Sequence, residues 1–157
     1  MMRADTTLRD ATTADSEGLS ALVDYALKET GYDARMVTRF AAYNAMEITT
    51  TDMLRHPFWI AEQGSEIVGC ISLDPKDGKT GQICNFYVTP KLKGTGIGSL
   101  LWFRLMLVAQ TQGFTALSVM SDPLSVSFYE RLGFVTRSMI PVPALSGCEA
   151  AYMEMVL

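Results

Sequence analysis

Residues 88–99 read Val88-Thr89-Pro90-Lys91-Leu92-Lys93-Gly94-Thr95-Gly96-Ile97-Gly98-Ser99, a strand end, a glycine-rich turn and the opening of a helix. Glycine lets the backbone approach a ligand and takes positive φ at no steric cost, and a helix start presents unpaired N–H groups at the positive end of its dipole. A phosphate or pyrophosphate fits such a place. Two common phosphate loops do not match. A P-loop requires Gly-x-x-x-x-Gly-Lys followed by Ser or Thr, and no glycine here is followed by that pair. A dinucleotide fingerprint requires Gly-x-Gly-x-x-Gly in a parallel βαβ unit. Here the third glycine comes one residue early, after strands that pattern as a hairpin meander.

Upstream of this stretch, Leu8 and its neighbours make a short first strand. Thr12 and Asp15 have capping-box spacing, and Leu19, Leu22, Val23, Ala26 and Leu27 recur along one helical face, with Gly31 as the stop. A second amphipathic stretch carries Val37, Phe40, Ala41 and Met46 before His56-Pro57. Phe58 to Glu62 and Glu66 to Leu73 suit a hairpin around Gly64-Ser65. Asp74 to Gly78 turns the chain, and Gln82 to Val88 runs as a strand into the glycine loop. Downstream, a helix from about Gly96 to Gln112 buries Ile97, Leu100, Leu101, Leu105 and Val108, and Gly113 ends it. Leu117 to Met120 is a strand and Leu124 to Leu132 a helix, and Phe134 onward with Cys148 to Leu157 closes the sheet. The expected class is α/β (α+β in arrangement), a mixed, mostly antiparallel central sheet with helices on both faces.

The 157 residues suit one domain, 1–157. Hydrophobic residues make up 48%, yet no apolar run approaches the ~20 that a bilayer-spanning helix needs, so no membrane partner is expected. The first residues lack the apolar stretch of a secretory signal, so a cytoplasmic location is expected. Cys70, Cys84 and Cys148 are odd in number and widely spaced, which favours buried free thiols over a disulfide framework or a metal site. Acids exceed Lys plus Arg, 17 against 13, which disfavours a nucleic-acid partner and suits a cationic substrate.

Lys93 to Gly98 resembles the acyl-CoA loop of the GCN5-related N-acetyltransferases (GNAT), Gln/Arg-x-x-Gly-x-Gly/Ala, with Gly96 and Gly98 at its two small positions. Lys93 stands where the family usually has Gln or Arg, keeping a positive charge without the planar fork. Ser127-Phe128-Tyr129-Glu130-Arg131-Leu132-Gly133-Phe134 resembles the family's Tyr-Glu-Lys-Leu-Gly-Phe stretch. Asp122 and Ser125 depart from the Asn and Ala common nearby. The resemblance implies an acetyl-CoA-dependent N-acyltransferase acting on a primary amine, with acetyl-CoA as co-substrate and no metal. It implies that the strand ending at Val88 splays from its neighbour. The Phe86 N–H then meets the thioester carbonyl and the Val88 N–H the pantetheine arm, with Tyr87 between them. The N–H groups of Gly94, Gly96, Ile97, Gly98 and Ser99 hold the pyrophosphate, with Thr95 in the same loop and Lys93 adding charge. Asp122, Ser125, Phe128 and Tyr129 border the cofactor, and Tyr129 is the acid for the departing thiolate.

A phenol of pKa about 10 is close enough to a thiol to serve as that acid, although an amphipathic core tyrosine is the bland reading. The general base is open. Gln82 and Asn85 are amides that take no proton at neutral pH, leaving water or His56. Glu29, Asp33, Glu47 and Asp52 either attract an ammonium group or line solvated helix faces. Tyr32, Phe40, Tyr43, Phe58 and Trp59 either line an acceptor pocket or form core. The amine acceptor stays unidentified and a homodimer stays open. An acyl-CoA sensor and a scaffold for protein interaction are the alternatives to an enzyme.

Overall fold

The computed structural model describes residues 5–29, 34–35, 53, 56–142 and 148–157. Gly31 and the second amphipathic stretch, Val37, Phe40, Ala41 and Met46, lie outside the described residues. The strands are β1 (Thr6–Asp10), β2 (Phe58–Gln63), β3 (Glu66–Pro75), β4 (Thr80–Val88), β5 (Ala116–Ser121), β6 (Val135–Pro141) and β7 (Glu149–Val156). The longer helices are α1 (Ser16–Lys28), α2 (Ile97–Thr111) and α3 (Val126–Leu132). One seven-stranded sheet has the order β1-β2-β3-β4-β5-β7-β6. Pairs β1–β2, β2–β3, β5–β7 and β6–β7 are antiparallel and β4–β5 is parallel. The parallel pair needs a crossover, and α2 supplies it. The chain divides into two compact units, Met1–Ser72 with Asn85–Met106, and Leu73–Cys84 with Leu107–Leu157.

In the first unit, Leu19, Leu22, Val23 and Leu27 of α1 form a core with Phe58 and Ile60 of β2 and Cys70 of β3. Their spacing puts them on one helical face, as expected. The helix ends at Lys28, with Glu29 as its cap, rather than at Gly31. A 3-10 turn, Thr13–Asp15, precedes α1, and Asp15 Oδ2 accepts from the Thr12 N–H at 2.8 Å. Arg9 of β1 grips the Asp15 carboxylate with both terminal nitrogens at 2.8 Å, and its Nε lies 3.2 Å from Glu62 of β2. The Arg9 hydrogen bonds outweigh desolvation and hold the Asp15 pKa down at about 2. On the opposite face of β3, Ile97 and Leu101 of α2 lie so close to Gly69 that an added Cβ would sit 3.1 and 2.9 Å from them. Successive strand residues face opposite ways, so Cys70 and Gly69 put helices on both faces.

The expected buried stripe of α2 needs correction. Ile97, Leu101, Leu105 and Ala109 are buried, whereas Leu100 is 45% exposed and Val108 half-buried. A spacing of four makes a narrow line of contact, and Leu100 and Val108 fall on its flanks.

In the second unit, Leu117, Val119, Ala151 and Met153 are buried on neighbouring strands. β4 begins two residues earlier than expected, because Lys76 N donates to Thr80 O and Asp77 Oδ1 accepts from the Lys79 and Thr80 N–H groups. The helix expected from Leu124 opens as a 3-10 turn, Pro123–Ser125, capped by Asp122. None of the three cysteines is in a disulfide, with Cys70 buried as expected and Cys84 and Cys148 only half-buried. Burial pushes the Cys70 thiol up to about 12.

Candidate active site

The glycine loop is built on Thr89, whose buried N–H donates to Val68 O at 2.8 Å and whose carbonyl accepts from Leu92 N at 3.0 Å. Both donors of Thr95 turn onto the Leu92 carbonyl, N at 3.2 Å and Oγ1 at 2.6 Å. Thr95 therefore holds the loop's own shape. Gly94 and Gly96 have φ of 79° and 95°, and an added Cβ at either would meet nothing within 4 Å. These glycines are required by backbone conformation, and the space beside them is open. Gly96 O accepts from Leu100 N at 3.0 Å, so Gly96 caps α2, and Ile97, Gly98 and Ser99 supply first-turn N–H groups with no acceptor inside the helix. The Ile97 side chain is buried and anchors that turn. Lys91 is tied to Glu66 at 3.3 Å, while Lys93 is exposed.

Just before this loop, Asn85 takes φ of 53°, the one positive φ outside glycine among the described residues. Asn tolerates the left-handed region better than most residues. Its carbonyl accepts from the Cys70 thiol at 3.0 Å and its side-chain Nδ2 donates to Ser72 Oγ at 3.3 Å. The register of β4 with β5 runs over Thr80–Ile83, and Phe86, Tyr87 and Val88 follow the irregularity, all half-buried. Sequence reading saw Asn85 only as an amide unfit to be a base. Its conformational preference was the available signal.

Tyr129 sits in a Schellman-type ending of α3. Gly133 has φ of 109°, its N–H donates to Glu130 O at 3.0 Å, and Phe134 N donates to Tyr129 O at 3.0 Å. The apolar contact that accompanies such an ending is the Tyr129–Phe134 ring pair, 5.6 Å apart at 78°. Phe128, partly exposed, meets Tyr129 edge-on at 5.2 Å. The Tyr-Glu-Arg-Leu-Gly-Phe stretch thus locks this tyrosine ring. Tyr129 is 8% exposed, and burial first, then the charges of Asp122 and Cys84, push its hydroxyl well above the ordinary phenol range. Asp122 Oδ1 accepts from Leu124 N and Ser125 N at 3.0 and 3.2 Å, and its Oδ2 from Ser125 Oγ at 2.8 Å. Asp122 and Ser125, expected beside the cofactor, are engaged with each other in shaping the start of this segment.

Other candidates fall elsewhere. His56 is half-buried at the bend before β2. Phe58 and Trp59 are buried, and Phe58 belongs to the α1 core. Glu29 is exposed at the end of α1. Asp33, Glu47, Asp52, Tyr32, Phe40 and Tyr43 lie outside the described residues. Among the described residues no group of three or more His, Cys, Asp or Glu converges as metal ligands would. No described helix is long and apolar enough to cross a membrane.

The sheet order, the crossover by α2 and the loop at its start are those of the GNAT fold. The family model described as Acetyltransferase (GNAT) domain matches residues 22–157, and the chain belongs to this family. An uncharacterized N-acetyltransferase of Escherichia coli (strain K12), YjgM, is 28% identical over 85 residues, covering 50% of this chain and 51% of that protein. The chain thus spans about half the length of this curated relative. Among solved structures, the PaiA N-acetyltransferase from Thermoplasma acidophilum in complex with coenzyme A superposes with a TM-score of 0.80 at 17% identity, covering 98% of this chain and 99% of that one. A GCN5-related N-acetyltransferase from Rhodopseudomonas palustris gives 0.81 at 20% identity, covering 100% and 99%.

Proposed function

We propose that the chain is an acetyl-CoA-dependent N-acetyltransferase that passes the acetyl group directly to a primary amine of a small molecule or peptide. The observation that carries this reading is the loop from Lys93 to Ser99, with two positive-φ glycines beside open space and first-turn N–H groups facing no helical acceptor. Those N–H groups suit a pyrophosphate, and Lys93 adds charge. The coenzyme A held by the similar PaiA protein supports the same assignment. Phe86 N–H polarises the thioester oxygen and Val88 N–H holds the pantetheine arm.

The neutral amine attacks the thioester carbon, an N–C bond forms, the C–S bond breaks, and the Tyr129 hydroxyl gives its proton to the departing sulfur. The amine loses its proton to water, because β4 carries the amides Gln82 and Asn85. The Tyr129 proton is then restored from solvent. A raised pKa keeps Tyr129 protonated, as an acid must be.

Thermal unfolding with and without acetyl-CoA, followed by an amine panel scored by free-thiol release, tests the reading. Acetyl-CoA at a hundredfold excess over Kd stabilises the fold by about 2.7 kcal/mol. Stabilisation without thiol release identifies a sensor, and the absence of both identifies a scaffold.

A further inference from the structure

A groove of about 570 Å³ lies wholly within the first unit, between α1, the β2–β3 turn and the residues that lead into the glycine loop. That volume is in the range of small-molecule sites. Ala14, Gly18, Ala21 and Tyr25 line it, at spacings of four, three and four that set them along one flank of α1. Three of the four are too small to fill it. Gly18 also lets Ile67 of β3 come close, since an added Cβ would lie 2.8 Å from Ile67 Cδ1. Leu22 and Ile67 add apolar lining. No residue from Phe86 to Val88 or from Lys93 to Ser99 lines the groove, so it is separate from the acetyl-CoA site proposed above.

The charged residues of the groove form two pairs of different strength. Arg9 and Asp15 are engaged with each other through two contacts of 2.8 Å, and Arg9 Nε also reaches Glu62 at 3.2 Å. Lys91 and Glu66 are 3.3 Å apart with side chains 59% and 61% exposed, and Lys91 Nζ stands 6.0 Å from the centre of the Tyr25 ring, the outer reach of a cation–π contact. An exposed pair of this kind contributes little and opens at small cost. Beside it lies Thr89, which lines the groove although only 4% exposed. Its N–H and carbonyl are committed to Val68 and Leu92, and its hydroxyl does not cap the 3-10 turn Pro90–Leu92 that follows. Among the described residues no sealed side-chain oxygen lacks a partner, so this unused hydroxyl is reached from the groove.

We infer that the groove binds a free α-amino acid with an apolar side chain. Lys91 and the Thr89 hydroxyl take its carboxylate, Glu66 takes its ammonium, and its side chain lies on Ala21, Leu22 and Ile67. The lining charges, Arg9 and Lys91 against Asp15 and Glu66, sum to zero and suit a ligand without net charge. The one pair with charge to share is in contact, so the ligand's two charges must also be close together. They are on an α-amino acid, whereas the two ends of a peptide lie farther apart. A plain carboxylate would displace Glu66 and then face it as a like charge, and a plain amine would do the same to Lys91. This inference uses no residue of the acyltransferase reading and stands apart from it.

Titration of the full chain with L-leucine, isocaproate and isoamylamine, followed by two-dimensional amide NMR, compares the zwitterion with its two halves. Leucine binds about 10-fold or more tighter than either half, as charge-assisted hydrogen bonds imply, and moves the amides of Gly18, Ala21 and Thr89 most. Glu66→Gln and Lys91→Met each weaken leucine by about the same factor. Thr89→Val, which keeps the shape without the hydroxyl, weakens it less. Ala21→Leu fills the groove from an exposed helical position that tolerates the change, and it abolishes binding in a chain that stays folded. Leucine binding no tighter than that of isocaproate or isoamylamine, or leucine affinity unchanged in both Glu66→Gln and Ala21→Leu, overturns the inference.

Discussion

At the scale of single residues, Tyr129 and Gly96 carry the sharpest consequences. Phe at position 129 keeps the ring against Phe134 and removes only the hydroxyl, so Tyr129→Phe isolates proton donation. General acid catalysis contributes on the order of 100- to 10,000-fold, and kcat should fall by about that range with little change in melting temperature. Unchanged kcat under conditions where chemistry limits would make Tyr129 a packing residue. The wild-type pH profile carries a second check. The acid works only while protonated, and its pKa lies above the ordinary phenol value of 10.0. The rate should therefore rise with pH toward the acceptor's amine pKa and show no alkaline loss at about pH 10. Gly96→Val places a branched side chain at φ of 95°, where only glycine is unstrained, and fills the open space beside the loop. Acetyl-CoA binding, read by calorimetry, should be abolished while the circular dichroism spectrum stays that of a folded protein. Retained affinity would remove the pyrophosphate from this loop.

At the scale of elements, the start of α1 depends on a charge. Asp15 accepts from the Thr12 N–H and from both terminal nitrogens of Arg9, and is only 10% exposed in its side chain. Its pKa falls from 3.8 in the unfolded reference to about 2 in the fold. A depressed carboxylate pKa stabilises the fold above the unfolded value and loses that contribution as pH falls from about 4 toward 2. Asp15→Asn should cost about 1 kcal/mol near neutral pH, discounted because Arg9 is partly exposed. Urea unfolding as a function of pH should show the gap between wild type and variant constant above about pH 5 and closing below about pH 4. A gap independent of pH would show that the bond geometry, rather than the ionised carboxylate, matters there.

At the scale of the whole molecule, a formal net charge of −4 makes the two proposed substrates respond unequally to salt. A cationic amine is drawn by the protein's field, whereas acetyl-CoA, under the binding proposed above at Lys93 and the α2 start, approaches against that field toward a local positive site. Raising ionic strength should therefore raise KM for a cationic amine and change KM for acetyl-CoA much less. Initial rates at low and high salt decide it, and equal responses would mean that the global charge plays no part. The sequence by itself determined the succession of strands from β2 to β5 along the chain, the helical face of α1, the glycine loop before α2 and the helix stop of the Tyr129 stretch, because each is written in local spacing: period two, period 3.6, glycine at a turn, a glycine four residues after the tyrosine. It did not determine which flank of α2 is buried, since Leu100 and Leu101 read alike until β3 takes one side. Nor did it give Asn85 its left-handed turn in the middle of a strand, or hand Asp15 to Arg9. Only tertiary pairing decided that Gln82, Ser118 and Glu154 stand side by side, because register is a relation between strands and no single stretch of chain contains it.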